Sequence, residues 1–139
     1  MKLLDTYVIV YARLPRSPFN HWAEEQIANA VSTEGAGLSA MSLAELCAEP
    51  GVDASNVAAE VTSFGVQLLD IPAAAAERCG EAYRAYRHAR KADSGKDAPK
   101  VPLPDFFIGA HAELLGLELV TNDPQRIKLY FPTVKLATP

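Results

Sequence analysis

Four carboxylates stand where α/β proteins tend to do chemistry: Asp5, Glu45, Asp105 and Asp123. Asp5 follows the short apolar run Lys2–Leu4, and Asp123 comes two residues after the run Leu117–Thr121. Glu45 falls in the first turn of a helix that the sequence opens at Ser42, and Asp105 starts a helix after Pro104. Each has an ordinary alternative. Asp105 could be a helix N-cap, Glu45 the N3 partner of Ser42 in a capping box, and Asp5 and Asp123 plain turn residues.

Taken together they ask for more. Two unit charges about 4 Å apart cost around 4 kcal/mol at an effective dielectric of about 20. Several such pairs would consume much of a typical stability of about 5–15 kcal/mol. No Lys or Arg adjoins any of the four in the sequence. Divalent cations with hard oxygen ligands would offset the repulsion. Mg²⁺ or Mn²⁺ suits a carboxylate set, and the absence of a Cys/His cluster argues against zinc. Such a site suits phosphodiester hydrolysis, with a cation activating water and stabilising the departing oxygen. Thr6 and Thr121 could orient a phosphate oxygen or a bound water through their hydroxyls, or be ordinary strand-end threonines.

The elements that must position these groups follow from apolar spacing and punctuation. Lys2–Leu4 predicts a strand running into a helical turn over Tyr7–Tyr11, and Ser17-Pro18 a helix start with Pro at its first position. Gly35–Gly37 ends that helix, Leu38-Ser39-Ala40 is a brief buried strand, and the helix from Ser42 stops at Pro50-Gly51. Asp53–Phe64 predicts a helix ended by Gly65, Val66–Ile71 a strand, and Pro72 the start of a long helix reaching about Lys91. Asp93–Pro104 is a loop, Asp105 to Gly116 a helix, Leu117–Thr121 a strand and Val134–Leu136 the last strand. Short apolar strands alternating with helices predict an α/β fold, a parallel sheet covered on both faces. Sites in such sheets form at the carboxyl ends of the strands, where all four acids fall.

Length and composition fit this reading. A chain of 139 residues predicts a single domain spanning 1–139. Apolar residues make up 49% and mean hydropathy is +0.01, enough to build a core. No apolar run reaches the roughly 20 residues a membrane span needs. The opening Met1-Lys2-Leu3-Leu4-Asp5 meets an acid too early for a signal peptide, so a cytoplasmic location is expected. Cys47 and Cys79 lack any CxxC or Cys/His spacing and read as buried free thiols rather than a disulfide. Net charge is −4, yet setting four ligand acids aside leaves the rest neutral, so charge does not exclude a nucleic-acid substrate.

At these residues the sequence resembles the PIN-domain ribonucleases, specifically the VapC-type toxins of toxin–antitoxin pairs. The matching stretches are LLDTYVIVYA (Leu3–Ala12), SAMSLAELCA (Ser39–Ala48) and LPDFFIGAHAELLGLELVTNDPQRIKLYFPTVKL (Leu103–Leu136). The last is the most specific, joining D-x-x-I-x-A-x-A, T-x-D and F-P-x-V. The resemblance implies a three-layer α/β/α fold and Mg²⁺- or Mn²⁺-dependent endonucleolytic cleavage of RNA. It implies that Asp5, Glu45, Asp105 and Asp123 form the acidic quartet, with Thr121 as the strand-end hydroxyl. Many relatives carry a basic or small residue where Asn122 stands, and Gly51 to Ala98 matches no motif. A VapB-like antitoxin covering the acidic pocket is implied as well, together with a homodimer or a toxin–antitoxin hetero-oligomer.

Arg84, Arg87, Arg90 and Lys91, with Lys96 and Lys100, lead toward Asp105 and could track an RNA backbone. The same residues could equally be a solvated helix end, where cations suit the macrodipole. Structural roles are expected for His21, His88 and His111. His111 lies opposite Asp105 on its helix, whereas Gly109 and Ala112 share the Asp105 side and would allow close approach. Glu49, one turn beyond Glu45, reads as a surface glutamate. The alternative function is a catalytically inert PIN-like module that binds RNA or protein. An aspartate-nucleophile phosphatase fits poorly, because Tyr7 and not an acid stands two residues after Asp5, and a receiver domain because no second acid adjoins Asp5 and Lys135 lies inside the last predicted strand.

Overall fold

The computed structural model describes all 139 residues. Its strands are β1 (Lys2–Leu4), β2 (Ala36–Ser39), β3 (Val66–Leu69), β4 (Glu118–Val120) and β5 (Leu136–Ala137). Its helices are α1 (Thr6–Ala12), α2 (Asn20–Ser32), α3 (Ala40–Cys47), α4 (Ala54–Ser63), α5 (Ala73–Ser94), α6 (Pro104–Leu115) and α7 (Gln125–Tyr130). The strands form one parallel sheet in the order β3-β2-β1-β4-β5.

Alternation along the strands builds the three layers. Leu4 is level with Leu38 and Val120 and packs with them on one face, against α1, α2, α3 and α4. Leu3 and Leu119 are likewise level, and face the other way into a second core with α5, α6 and α7. Both faces of β1 are therefore covered, which is why Leu3 and Leu4 are both fully buried. After β3 the chain crosses to the far side of β1, so the direction of winding reverses between β1 and β4. In open α/β sheets that reversal leaves a crevice at the carboxyl ends of the strands.

Several boundaries move from those the sequence predicts. α3 starts at Ala40 rather than Ser42, capped by Ser39, whose hydroxyl accepts from the Met41 N–H. Ser42 is thus buried inside the helix, its hydroxyl unpartnered, and no capping box forms with Glu45. α2 starts at Asn20 rather than at Pro18, because the Ser17 hydroxyl accepts from Phe19 N–H and bends the chain first. α5 runs on to Ser94 and ends on Gly95 in the left-handed conformation. α7 is an element absent from the sequence reading altogether.

Cys79 is buried and Cys47 only half-buried, and both are free thiols. No helix is long and apolar enough to cross a membrane.

Candidate active site at the crevice between β1 and β4

Asp5 is the first residue past β1, and its backbone N–H still bonds to the Val120 carbonyl of β4 at 2.9 Å. The sheet therefore fixes its position. Its carboxylate is held at both oxygens: Thr6 N–H donates to Oδ1 and the Thr121 hydroxyl to Oδ2, each at 2.7 Å. Thr121, just past β4 and buried, also accepts from the Asp123 N–H at 3.1 Å, which shapes the turn carrying Asp123. The Thr6 hydroxyl donates to Glu45 Oε1 at 2.7 Å. Two threonines thus brace two carboxylates across 39 and 116 residues of sequence.

Asp105 is not the cap of α6. Leu103 holds the cap position, Pro104 the first turn, and Asp105 follows it with its side chain half-exposed. A small cavity of about 70 Å³ lies between Asp5, Asp105, Asp123, Thr121, Asn122 and Tyr7, floored by Ile108, Leu119 and Ile127. Asp5, Asp105 and Asp123 share it; Glu45 stands behind, joined through Thr6.

The electrostatics tie the group together. Burial raises the Asp5 carboxyl above its ordinary value, and the charges of Asp105 and Asp123 push it further, against the two threonine hydrogen bonds. Glu45 is raised chiefly by burial, then by Asp5 and Asp105, while the bond from Thr6 works the other way. Asp5 and Glu45 thus each feel neighbouring carboxylates, so the cluster carries unfavourable charge of the kind its residue types imply.

One neighbour corrects the expectation that no cation stands beside the quartet. Arg126 of α7 donates from Nη1 to Asp105 Oδ2 at 3.0 Å, and its guanidinium lies over the Tyr86 ring, 5.5 Å from its centre. No local pattern announced it: α7 is six residues long with no side-chain cap, and only the fold returns a residue three beyond Asp123 to the crevice.

No three His, Cys, Asp or Glu side chains stand together as a ready-made metal cage. The donor set nonetheless fits a hard cation. It consists of carboxylates with hydroxyls behind them, and a cation such as Mg²⁺ keeps several waters while using one or two carboxylates. Asp5, Asp105 and Asp123 around the cavity would hold it, with Glu45 positioned through Thr6.

Other singled-out residues lie elsewhere. Arg84, Arg90 and Lys91 are exposed on α5. Arg87 is tied to Asp97, Nε to Oδ1 at 3.0 Å, which holds that carboxyl down at about 2. Arg90 donates to the Tyr86 hydroxyl at 3.2 Å, and the Tyr86 ring in turn lies beneath Arg126. His111 is fully buried, with Nδ1 3.2 Å from the Ser39 hydroxyl and Nε2 unpartnered. His21 and His88 are exposed, as is Glu49, which lines a separate groove with Arg13 and Leu14. Gly109 faces α7, where an added Cβ would collide with the Phe131 ring.

No curated protein matches the chain. Among solved structures it is similar to VapBC from Salmonella typhimurium in a DNA-bound crystal structure, at 22% identity and a TM-score of 0.65, over 99% of this chain and 98% of that one. VapBC2 from Rickettsia felis, bound to a promoter DNA fragment, matches at 19% identity and 0.63 over 99% and 98%. FitAcB from Neisseria gonorrhoeae matches at 24% and 0.63 over 100% and 98%. These likenesses establish the fold. The family model described as PIN domain matches residues 2–131, from β1 through the end of α7. By that match, and by the parallel sheet it spans, the chain belongs to the PIN-domain family.

Proposed function

We propose that this protein is a metal-dependent endoribonuclease of the VapC toxin type, held in check by a cognate antitoxin. PIN domains are generally nucleases, which makes hydrolysis of a phosphodiester the first expectation. The observation that carries the reading is the convergence of Asp5, Asp105 and Asp123 on one cavity at the strand edge, with Glu45 joined to them through Thr6. A bound Mg²⁺ or Mn²⁺ would supply Lewis acidity and a nucleophilic water at near-neutral pH.

The chain's own residues do the positioning. Asp5, locked by Thr6 and Thr121, presents a fixed oxygen pair to the cavity. Asp105 and Asp123 face it from the other walls, and Glu45 supports the Thr6 side. Arg126 is free to leave Asp105 for a phosphate, since both side chains of the pair are about two-fifths exposed. The exposed cations of α5, Arg84, Arg90 and Lys91, would then guide the RNA backbone.

The solved complexes similar to this chain are toxin–antitoxin assemblies, which supports an antitoxin partner and a hetero-oligomer here. Incubation of the purified protein with total RNA and Mg²⁺ or Mn²⁺ should yield cleavage that chelation stops. Asp5→Asn and Asp105→Asn should each abolish it while leaving the circular-dichroism spectrum intact. Undiminished cleavage in either variant would overturn the reading.

The Arg126–Asp105 pair favours one other reading, an inert module whose own arginine occupies the place of a metal. Metal-dependent hydrolysis by the natural chain separates the two directly.

A further inference from the structure

The rim of the cavity carries one large ring that the proposed chemistry leaves unused. Tyr7, the second residue of α1, is 55% exposed although it borders the same cavity as Asp5, Asp105 and Asp123. Its neighbours Val8 and Ile9 face the core, so α1 is anchored without it. Its hydroxyl makes no hydrogen bond, whereas that of Tyr11, one turn on, accepts from Asn122 Nδ2 at 2.8 Å. The Tyr7 and Tyr11 rings are 5.8 Å apart and tilted by 37°, and Tyr11 meets Phe19 at 5.1 Å. Asn20 Nδ2 bonds the Tyr11 and Ala12 carbonyls, fixing the end of the helix beneath this series of rings.

An exposed aromatic face backed by other rings, beside a group of carboxylates suited to phosphodiester chemistry, matches how proteins hold unpaired nucleobases. Stacking tolerates any base, because every base has a π-face. In a duplex those faces are covered by neighbouring pairs, and sequence-directed RNA binding accordingly takes splayed, single-stranded bases. We infer that Tyr7 is a stacking platform for an unpaired base of single-stranded RNA, next to the phosphate at the carboxylates. The inference rests on the ribonuclease reading and adds to it a base-binding residue, Tyr7, with little demand on base identity at this position.

The test uses the full chain with Ca²⁺, a hard cation supporting oxygen coordination. Two fluorescent probes are compared by anisotropy: a short oligouridine, and the same ribose-phosphate backbone without bases. Tyr7→Ala should weaken oligouridine binding roughly five- to hundredfold, the range expected for losing one stacked base. It should leave the abasic probe unchanged, and Tyr7→Phe should bind both like the natural protein. A Tyr7→Ala variant that binds oligouridine normally overturns the inference. So does an equal loss on both probes, which would make Tyr7 a support for α1, or a Tyr7→Phe loss as large as that of Tyr7→Ala. A natural protein that cleaves RNA while Tyr7→Ala behaves identically removes the platform alone; one that neither binds nor cleaves RNA removes the ribonuclease reading with it.

Discussion

The side chains around the cavity are set against one another in a way that costs stability. Asp5 is burdened by burial and by two like charges, and Thr6 and Thr121 only partly compensate. Asp5→Asn removes that charge, so without metal it should melt a few degrees higher than the natural protein. A lower melting temperature would mean that the hydrogen bonds outweigh the repulsion. Arg126 pairs with one of these carboxylates, Asp105. Its pair with Asp105 is half in water and contributes about 0–1 kcal/mol to folding. Arg126→Ala should therefore barely change stability while increasing apparent Mn²⁺ affinity several-fold, measured by titration calorimetry. Unchanged affinity would show that the arginine does not contend with the cation.

At the scale of elements, α7 depends on an absence in α6. Gly109 lets Phe131 and Ile127 seat against the helix, and α7 thereby carries Arg126 to Asp105. Gly109→Ala should cost about 1–3 kcal/mol by overpacking, seen in urea denaturation, and should loosen the Arg126 contact. No loss would mean that the Phe131 ring moves freely aside. This pairing also explains what the sequence hid. The strands and long helices were legible because their apolar residues recur with a clear period, as with Val57 and Val61 in α4. α7 has six residues and no side-chain cap, so its helicity comes from docking Ile127 and Phe131, which no local pattern announces. The start of α3 was misplaced for a different reason: Ser39 and Ser42 are both plausible caps, and the x-x-Glu spacing favours the wrong one. Glu45 instead accepts from Thr6, a partner 39 positions away. The acids and the threonines were readable from type and position. Arg126 and the tyrosine rim needed the folded chain.

Over the whole molecule, the two layers of helices meet through α6 and α3 at a buried histidine. Burial lowers the proton affinity of His111 below its ordinary value near 6.5, so it is held neutral. The unfolded chain takes up that proton first on acidification. Stability from this group is therefore present above about pH 6.5 and lost as pH falls through its folded value. Asp5 and Glu45, raised in the fold, pull in the opposite direction. Comparison with His111→Gln isolates the histidine: the stability advantage of the natural protein should shrink between about pH 7 and about pH 5. A constant difference would show that the imidazole does not titrate with unfolding. Metal should act on the whole fold as well. Binding at 100 times the dissociation constant adds about 2.7 kcal/mol, so melting temperature should climb with Mn²⁺, and Asp5→Asn should abolish the climb.

The sheet order has a bearing on how such a protein is made. β1 comes before every other strand of this sheet in chain order, yet one of its flanks is β4, which arrives more than a hundred residues later. Until Thr121 and Asp123 leave the ribosome, Asp5 lacks its brace and the cavity lacks a wall. A chain that cuts RNA only when thus completed would stay harmless until that late strand emerges, sparing the message and the machinery that produce it.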